Sequence, residues 1–86
     1  MTDDVGRFRE QISELDRQIL AAVNRRVQLV AELKRYKEEH GLDFLDPERE
    51  RTMLEELQRG NSGPLSDDGV RELLHAVLAL TKREVD

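Results

Sequence analysis

The sequence predicts an all-α fold of three helices, one long and two shorter, because apolar residues recur at helical spacing in three segments. Turn-forming residues separate these segments, at Gly41 and over residues 60–64. No segment shows the alternation of apolar and polar residues that marks a half-buried strand. A chain of 86 residues has the usual size of one domain, so we expect residues 1–86 to form one helical unit.

The first helix is predicted from about Asp4 to His40, with Gly41 as its C-terminal cap. Its stripe advances in steps of three and four residues: Ile12, Leu15, Ile19, Ala22, Arg26, Leu29 and Leu33. A helix of about 35 residues is about 50 Å long, whereas a compact chain of this size has a radius of gyration of about 12 Å. The stripe therefore projects beyond any core that one chain can build, and we predict that a second copy covers it in a homodimer.

The two shorter helices are marked by their N-terminal residues. Asp46 is a good N-cap and Pro47 is favoured in a first turn, while Ser66 is a good N-cap for the third helix. The second helix ends near Gly60, and its stripe reads Glu50, Met53, Leu54 and Leu57. The stripe of the third helix reads Val70, Leu73, Leu74, Val77, Leu80 and Thr81. Lys82 and Arg83 follow in its last turn, where the helix dipole favours cations.

Composition and charge exclude several classes of function. A net charge of -5 argues against nucleic acid as a partner. The chain has no cysteine, and His40 and His75 lie far apart, so neither thiol chemistry nor a metal site is expected. No apolar run reaches the roughly 18 residues of a membrane span, and the N-terminal segment does not have the pattern of a secretion signal. We therefore expect a soluble, cytoplasmic protein without membrane contact.

Polar residues occupy positions where each helical stripe requires apolar ones. Arg26 is central, because arginine keeps its charge at any working pH and a buried cation needs an anion nearby. That anion is either an internal carboxylate, such as Glu50 in a structural ion pair, or a ligand. Arg9 and Lys37 extend the stripe but can also reach solvent. Thr81 can be a core hydroxyl bonded to a carbonyl of the preceding turn.

The spacing of the three cations on the first helix bears on how they could cooperate. Arg9 and Lys37 are 28 residues apart, roughly 42 Å along a helix. They cannot meet one small ligand from the same chain. In an antiparallel dimer, Arg9 of one chain falls beside the middle or far end of the other, which could bring three cations around each of two pockets.

The order of these residues resembles the all-helical, type II class of chorismate mutases. The most specific elements are R-x-x-I-x-x-L-D at 9–16, R-x-x-L at 26–29, Lys37 eight residues beyond that leucine, and D-x-x-R-E at 46–50. The similar segments cover nearly the whole chain, over residues 8–37, 43–57 and 63–84. The resemblance implies an intertwined homodimer with antiparallel first helices.

The resemblance also implies a role for each matching residue. Arg26 and the partner's Arg9 would bind the two carboxylates of the substrate, a task that suits guanidinium groups. Lys37 would contact a carboxylate and the ether oxygen of the breaking bond, and these three residues are the implied catalytic group. The implied further substrate-binding residues are Asp46 and Glu50 at the ring hydroxyl, Arg49 in support, Thr81 at a carboxylate, and position 85.

The chain departs from the family pattern at position 85. Relatives usually carry glutamine or glutamate there, and that side chain hydrogen-bonds the ether oxygen. Val85 can donate nothing, and the neighbouring Glu84 would need a proton to act as a donor. Either Lys37 supports the ether oxygen alone, or activity is reduced.

The implied reaction is the rearrangement of chorismate to prephenate in phenylalanine and tyrosine biosynthesis. It is intramolecular and needs no cofactor, covalent intermediate or proton transfer.

One alternative is isochorismate-pyruvate lyase, which shares the fold. The D-x-x-R-E motif at 46–50 favours the mutase, because Glu50 suits the ring hydroxyl of chorismate. A second alternative is a non-catalytic helical dimerisation module in which Arg26 pairs with Glu50. Feedback control would need a partner protein, for which an activating partner enzyme is a candidate.

Overall fold

Three helices make up the computed structural model, which describes residues 3–44 and 46–86. They are α1 (Asp3–Glu39), α2 (Pro47–Gly60) and α3 (Asp67–Val85). α1 packs against α3, and α3 packs against α2. The described residues contain no strand, so the predicted class of one long and two shorter helices is confirmed. None of these three helices has both the length and the apolar character needed to cross a membrane.

The end of α1 is fixed by glycine at position 41. Gly41 has a φ of 65°, a left-handed conformation that glycine adopts without a steric penalty. The backbone N–H of Leu42 donates to the carbonyl of Lys37 at 2.8 Å, and that of Gly41 donates to Glu38 at 3.4 Å. This pair of bonds is the Schellman arrangement that closes a helix. It reverses the chain at Gly41, so Phe44 and Asp46 return towards the side of α1.

The two shorter helices begin at the predicted caps. The side chain of Asp46 accepts a hydrogen bond from the backbone N–H of Arg49 at 3.1 Å. Pro47 occupies the first turn of α2, where its missing N–H costs nothing. Ser66 Oγ accepts from the backbone N–H of Gly69 at 3.0 Å and starts α3 in the same way.

The core of one chain is small and lies where α3 meets its neighbours. Val70 and Leu74 are its buried apolar residues, and α1 contributes no fully buried residue. The chain extends over 61 × 24 × 17 Å, because α1 is far longer than the α2–α3 pair. Apolar side chains in the N-terminal half of α1 are more than half exposed: Phe8, Ile12, Leu15 and Ile19. Within one chain, the predicted stripe of α1 therefore lacks a cover along this half.

Candidate functional site

Arg26 is half-buried between α1 and α3 and is held by a neutral partner. Its Nη1 donates to Thr81 Oγ1 at 2.8 Å, and Thr81 Oγ1 donates to the carbonyl of Val77 at 2.7 Å. Thr81 is only 4% exposed. Its single proton is used on Val77, so its oxygen can only accept from the guanidinium. Thr81 thus serves both as a core hydroxyl bonded to its own helix and as a support that orients Arg26.

Glu50 does not pair with Arg26, although the sequence made it a candidate internal partner. Its Oε1 lies 3.5 Å from Nζ of Lys82 on α3. Among residues 3–44 and 46–86, no carboxylate forms an ion pair with Arg26. The alternative in which Arg26 and Glu50 form a structural ion pair is therefore wrong. Over these described ranges, the hydrogen-bond partner of Arg26 is the neutral Thr81.

The polar residues meet in a pocket of about 140 Å³, which we call the basic pocket. It is open to solvent and touches all three helices. Its lining consists of Arg26, Val30, Leu33, Lys37, Phe44, Asp46, Arg49, Glu50, Met53, Leu78, Thr81 and Lys82. Six of the eight residues that the resemblance implied as the site lie on it: Arg26, Lys37, Asp46, Arg49, Glu50 and Thr81.

Each element supplies its share of this lining for a local reason. On α1, Arg26, Val30, Leu33 and Lys37 follow one another at helical spacing and so face one side. The reversal at Gly41 brings the chain back, and its next residues place Phe44 and Asp46 on the pocket wall. The first turn of α2 then adds the adjacent residues Arg49 and Glu50. On α3, the lining residues are spaced by three and four and share one face.

Two implied site residues lie outside this pocket. Arg9 is exposed on α1, 17 residues before Arg26, which corresponds to roughly 25 Å along the helix. Val85 is half-buried in a separate groove on α1, beside Ala31 and Lys34. Glu84, next to it, is exposed and pairs with Arg83 at 3.5 Å. Neither Arg9 nor Val85 therefore lines the basic pocket of its own chain.

A larger apolar groove of about 650 Å³ runs between α2 and α3 and borders the basic pocket at Arg26 and Met53. We call it the α2–α3 groove. Its apolar lining is Met53, Leu57, Leu65, Val70, Leu73, Leu74 and Val77. Leu57 and Leu73 are about half exposed there, at 49% and 56%. The groove and the basic pocket thus form one continuous surface with Arg26 between them.

Lys82 and Phe44 line the basic pocket, and the sequence predicted a site role for neither. Lys82 follows Leu78 by four residues and so shares its face, but the helix dipole alone explained a lysine in the last turn of α3. The spacing from Leu78 was a signal that could have found it. Phe44 lies in the connection between α1 and α2, where no helical period applies, so periodicity could not predict its position.

The lining has the composition of a site for a small organic anion that also carries hydroxyl groups. It contains four cationic side chains and two carboxylates, a formal excess of two positive charges. Guanidinium and ammonium groups recognise carboxylates, whereas carboxylates accept hydrogen bonds from hydroxyl groups. In the described part of the chain, no cluster of histidine, aspartate and glutamate has the arrangement of a metal site.

Comparisons with known proteins show similarity to one family over nearly the whole chain. The family profile described as chorismate mutase type II matches residues 8–85. The chorismate mutase from Thermus thermophilus is similar in two solved forms. Form I superposes with a TM-score of 0.86 at 32% identity, covering 91% of this chain and 98% of that chain. Form II gives 0.87 at 31% identity, with coverage of 93% and 91%.

A curated relative is much longer than this chain. The T-protein of Haemophilus influenzae is 34% identical over 72 residues, which covers 78% of this chain and 19% of the relative. The chain thus spans about a fifth of the length of that protein. The profile and the solved structures, in contrast, match over nearly the full chain, and they confirm the resemblance that the residues suggested. The chain belongs to the chorismate mutase type II family.

Proposed function

We propose that the chain catalyses the rearrangement of chorismate to prephenate, as an isomerase of aromatic amino acid biosynthesis. The observation that carries this proposal is Arg26, a half-buried cation that lies on an open pocket without a carboxylate partner among the described residues. A partly buried cation without an anionic partner is stabilised when a substrate anion binds beside it. The dianionic substrate and the pocket's excess of two positive charges are complementary.

The first task of the pocket is orientation. Chorismate is flexible, and the reaction requires its compact, diaxial form, in which the ends of the new bond approach each other. Arg26 and the partner's Arg9 would each hold one carboxylate, while Glu50 and Asp46 would accept the ring hydroxyl. Fixing a reactive conformer in this way lowers the entropic part of the barrier. The hydrogen bond from Arg26 to Thr81 limits the motion of the guanidinium before substrate arrives.

The second task is electrostatic. Negative charge grows on the ether oxygen as the carbon–oxygen bond breaks, and a donor already in place stabilises it without reorganisation. Lys37 is the residue we assign to this position, because it is half-buried on the pocket wall and its backbone is fixed by the closure at Gly41. Val85 cannot assist as a donor, and it lies in the separate groove on α1.

We also propose that the working form is an antiparallel homodimer. Burial of apolar area drives such association. The α2–α3 groove is open and lined mainly by apolar residues. The exposed side chains on the N-terminal half of α1 are apolar as well: Phe8, Ile12, Leu15 and Ile19. Arg9 precedes Ile12 by one turn, so it lies on the edge of this apolar stripe. If the stripe of the partner seats on the groove, the partner's Arg9 approaches Arg26 at the groove's border.

The test of the proposed function joins turnover with binding. Purified protein should consume chorismate and release prephenate. A bicyclic dicarboxylate that imitates the transition state should raise the melting midpoint by at least about 10 °C at 100 times its Kd, because ligand bound to the native state adds about 2.7 kcal/mol. Release of pyruvate from isochorismate in place of prephenate formation would assign the lyase. No turnover and no thermal shift would favour a dimerisation module.

The hydroxyl of Thr81 provides a finer test of the orientation of Arg26. Thr81→Val keeps the shape of the side chain but removes the acceptor for Nη1, so the guanidinium loses a charge-assisted hydrogen bond. We expect kcat/KM for chorismate to fall about tenfold, equivalent to about 1.4 kcal/mol. Thr81→Ser retains the acceptor and should stay within about threefold of wild type. Equal losses in both variants would show that packing at this position, and not the hydroxyl, matters.

A further inference from the structure

Among the charged residues that line the basic pocket, Lys82 is the one for which neither the sequence motifs nor the family resemblance supplied a role. It lies one residue after Thr81, and Leu78, Thr81 and Lys82 form the α3 wall of the pocket. Its Nζ is 3.5 Å from Glu50 Oε1 on α2. The side chains are 54% and 41% exposed, so the pair lies at the rim where the pocket opens to solvent.

Glu50 creates an electrostatic difficulty that this pairing resolves. Its carboxylate is needed to accept the ring hydroxyl under the proposed function, yet it lines the same pocket as the groups that receive a dianion. Like charges at such short range repel each other, and repulsion weakens binding of substrate. A cation within ion-pair distance of Glu50 offsets that repulsion and holds one carboxylate oxygen, which leaves the other free to accept.

The other charged groups around Glu50 do not replace Lys82. Asp46, in the turn before α2, carries the same sign as Glu50 and lines the same wall. Arg49 is exposed on α2 and makes no ion pair with Glu50 among the described residues. Arg26 donates to Thr81 and makes no ion pair with Glu50 among the described residues. Lys82 is therefore the cation that the structure pairs with Glu50.

We propose that Lys82 is a positioning residue that holds Glu50 and determines how well the pocket tolerates a carboxylate beside a dianionic substrate. The proposal rests on the proposed function and adds to it the residue through which Glu50 is controlled. Because the repulsion acts on bound substrate and transition state alike, its main effect is on KM and not on kcat.

The experiment compares Lys82→Met with a matched control on the same turn. Arg83→Met removes the same charge from a residue that is 72% exposed, pairs with Glu84 and lies outside the pocket lining. We expect Lys82→Met to raise KM for chorismate about three- to fivefold, the upper range for a partly exposed ion pair, with kcat within about twofold of wild type. Lys82→Arg should restore the KM, and Arg83→Met should leave it unchanged.

A double-mutant cycle with Glu50→Gln tests whether Lys82 acts through Glu50. Once Glu50 is neutral, Lys82→Met should raise KM less than about twofold, because the paired charge is gone. Equal increases in both backgrounds would mean that Lys82 attracts substrate by itself and would overturn the proposal. Loss of kcat alone, or a KM equal to that of Arg83→Met, would overturn it too.

Folding and the proposed function are checked in the same experiment. Lys82→Gln serves as a second variant, and circular dichroism melts should place all variants within a few degrees of wild type. If Lys82→Met unfolds, the KM of Lys82→Gln decides the outcome. If the wild-type chain turns over no chorismate, the proposed function fails and this inference fails with it. If wild type is active and the Lys82 variants match the control, only this inference fails.

Discussion

Lys37→Ala is expected to lower kcat for chorismate by about 100-fold, because removal of one preorganised donor at a developing negative charge costs about 3 kcal/mol. Lys37 is half-buried on the wall of the basic pocket, two residues before the end of α1. The carbonyl of Lys37 is held by the backbone N–H of Leu42 at 2.8 Å. Its side chain therefore starts from a fixed point and needs little reorganisation when charge develops.

The measurement is a steady-state assay that separates kcat from KM. Since the ether oxygen gains its charge in the transition state, the loss should appear mainly in kcat. Arg35→Ala is the matched control, because Arg35 is an exposed cation on the same part of α1 and lies outside the basic pocket. Near-normal turnover of Lys37→Ala would remove Lys37 from the reaction, and a similar loss in Arg35→Ala would indicate a general effect of charge.

Mixing two inactive variants is expected to restore about a quarter of wild-type activity, if each site combines Arg9 of one chain with Lys37 of the other. Arg9 lies about 25 Å along α1 from Arg26, so it cannot act in its own chain's pocket. Arg9→Ala alone should lose about 100-fold in kcat/KM, since it removes a charged partner of a substrate carboxylate. Random pairing of Arg9→Ala with Lys37→Ala chains makes about half of the dimers mixed, each with one intact site.

The mixture is prepared by unfolding both variants together and refolding them at equal concentration. Each variant refolded by itself is the control and should keep about 1% of wild-type activity. Recovery near a quarter supports both the dimer and the crossing of Arg9 between chains. If mixed dimers form, as shown by pull-down of a tagged chain, and activity does not recover, Arg9 does not complete the partner's pocket.

Much of the fold could be predicted because its signals are local. Asp46 with Pro47, Ser66 and Gly41 each mark a helix end within a few residues of sequence, and the structure places the helix ends at these signals. The predicted first helix, from about Asp4 to His40, agrees with α1 to within one residue at either end. Caps act through hydrogen bonds to the adjacent turn, so no distant part of the chain is needed to predict them.

Less of the candidate site could be predicted from the residues alone. The helical period placed Arg26, Lys37, Glu50 and Thr81 on faces expected to be buried, and the structure brings these four onto one pocket. The helical spacing does not determine which of these four side chains contact each other. Arg26 with Glu50 and Arg26 with Thr81 were both compatible with the stripes, and the structure contains only the second contact among the described residues.

Local order along the chain was thus enough to predict the three helices, their capped ends and the cations set into apolar stripes, since each depends on neighbours within about two turns. The packing of the helices determined the contacts between them. Thr81 accepts a hydrogen bond from Arg26, Lys82 pairs with Glu50, and Val85 lies in another groove. These contacts depend on the rotation and axial offset of α3 against α1 and α2. A shift of one residue turns a helix face by about 100° and would exchange every such partner.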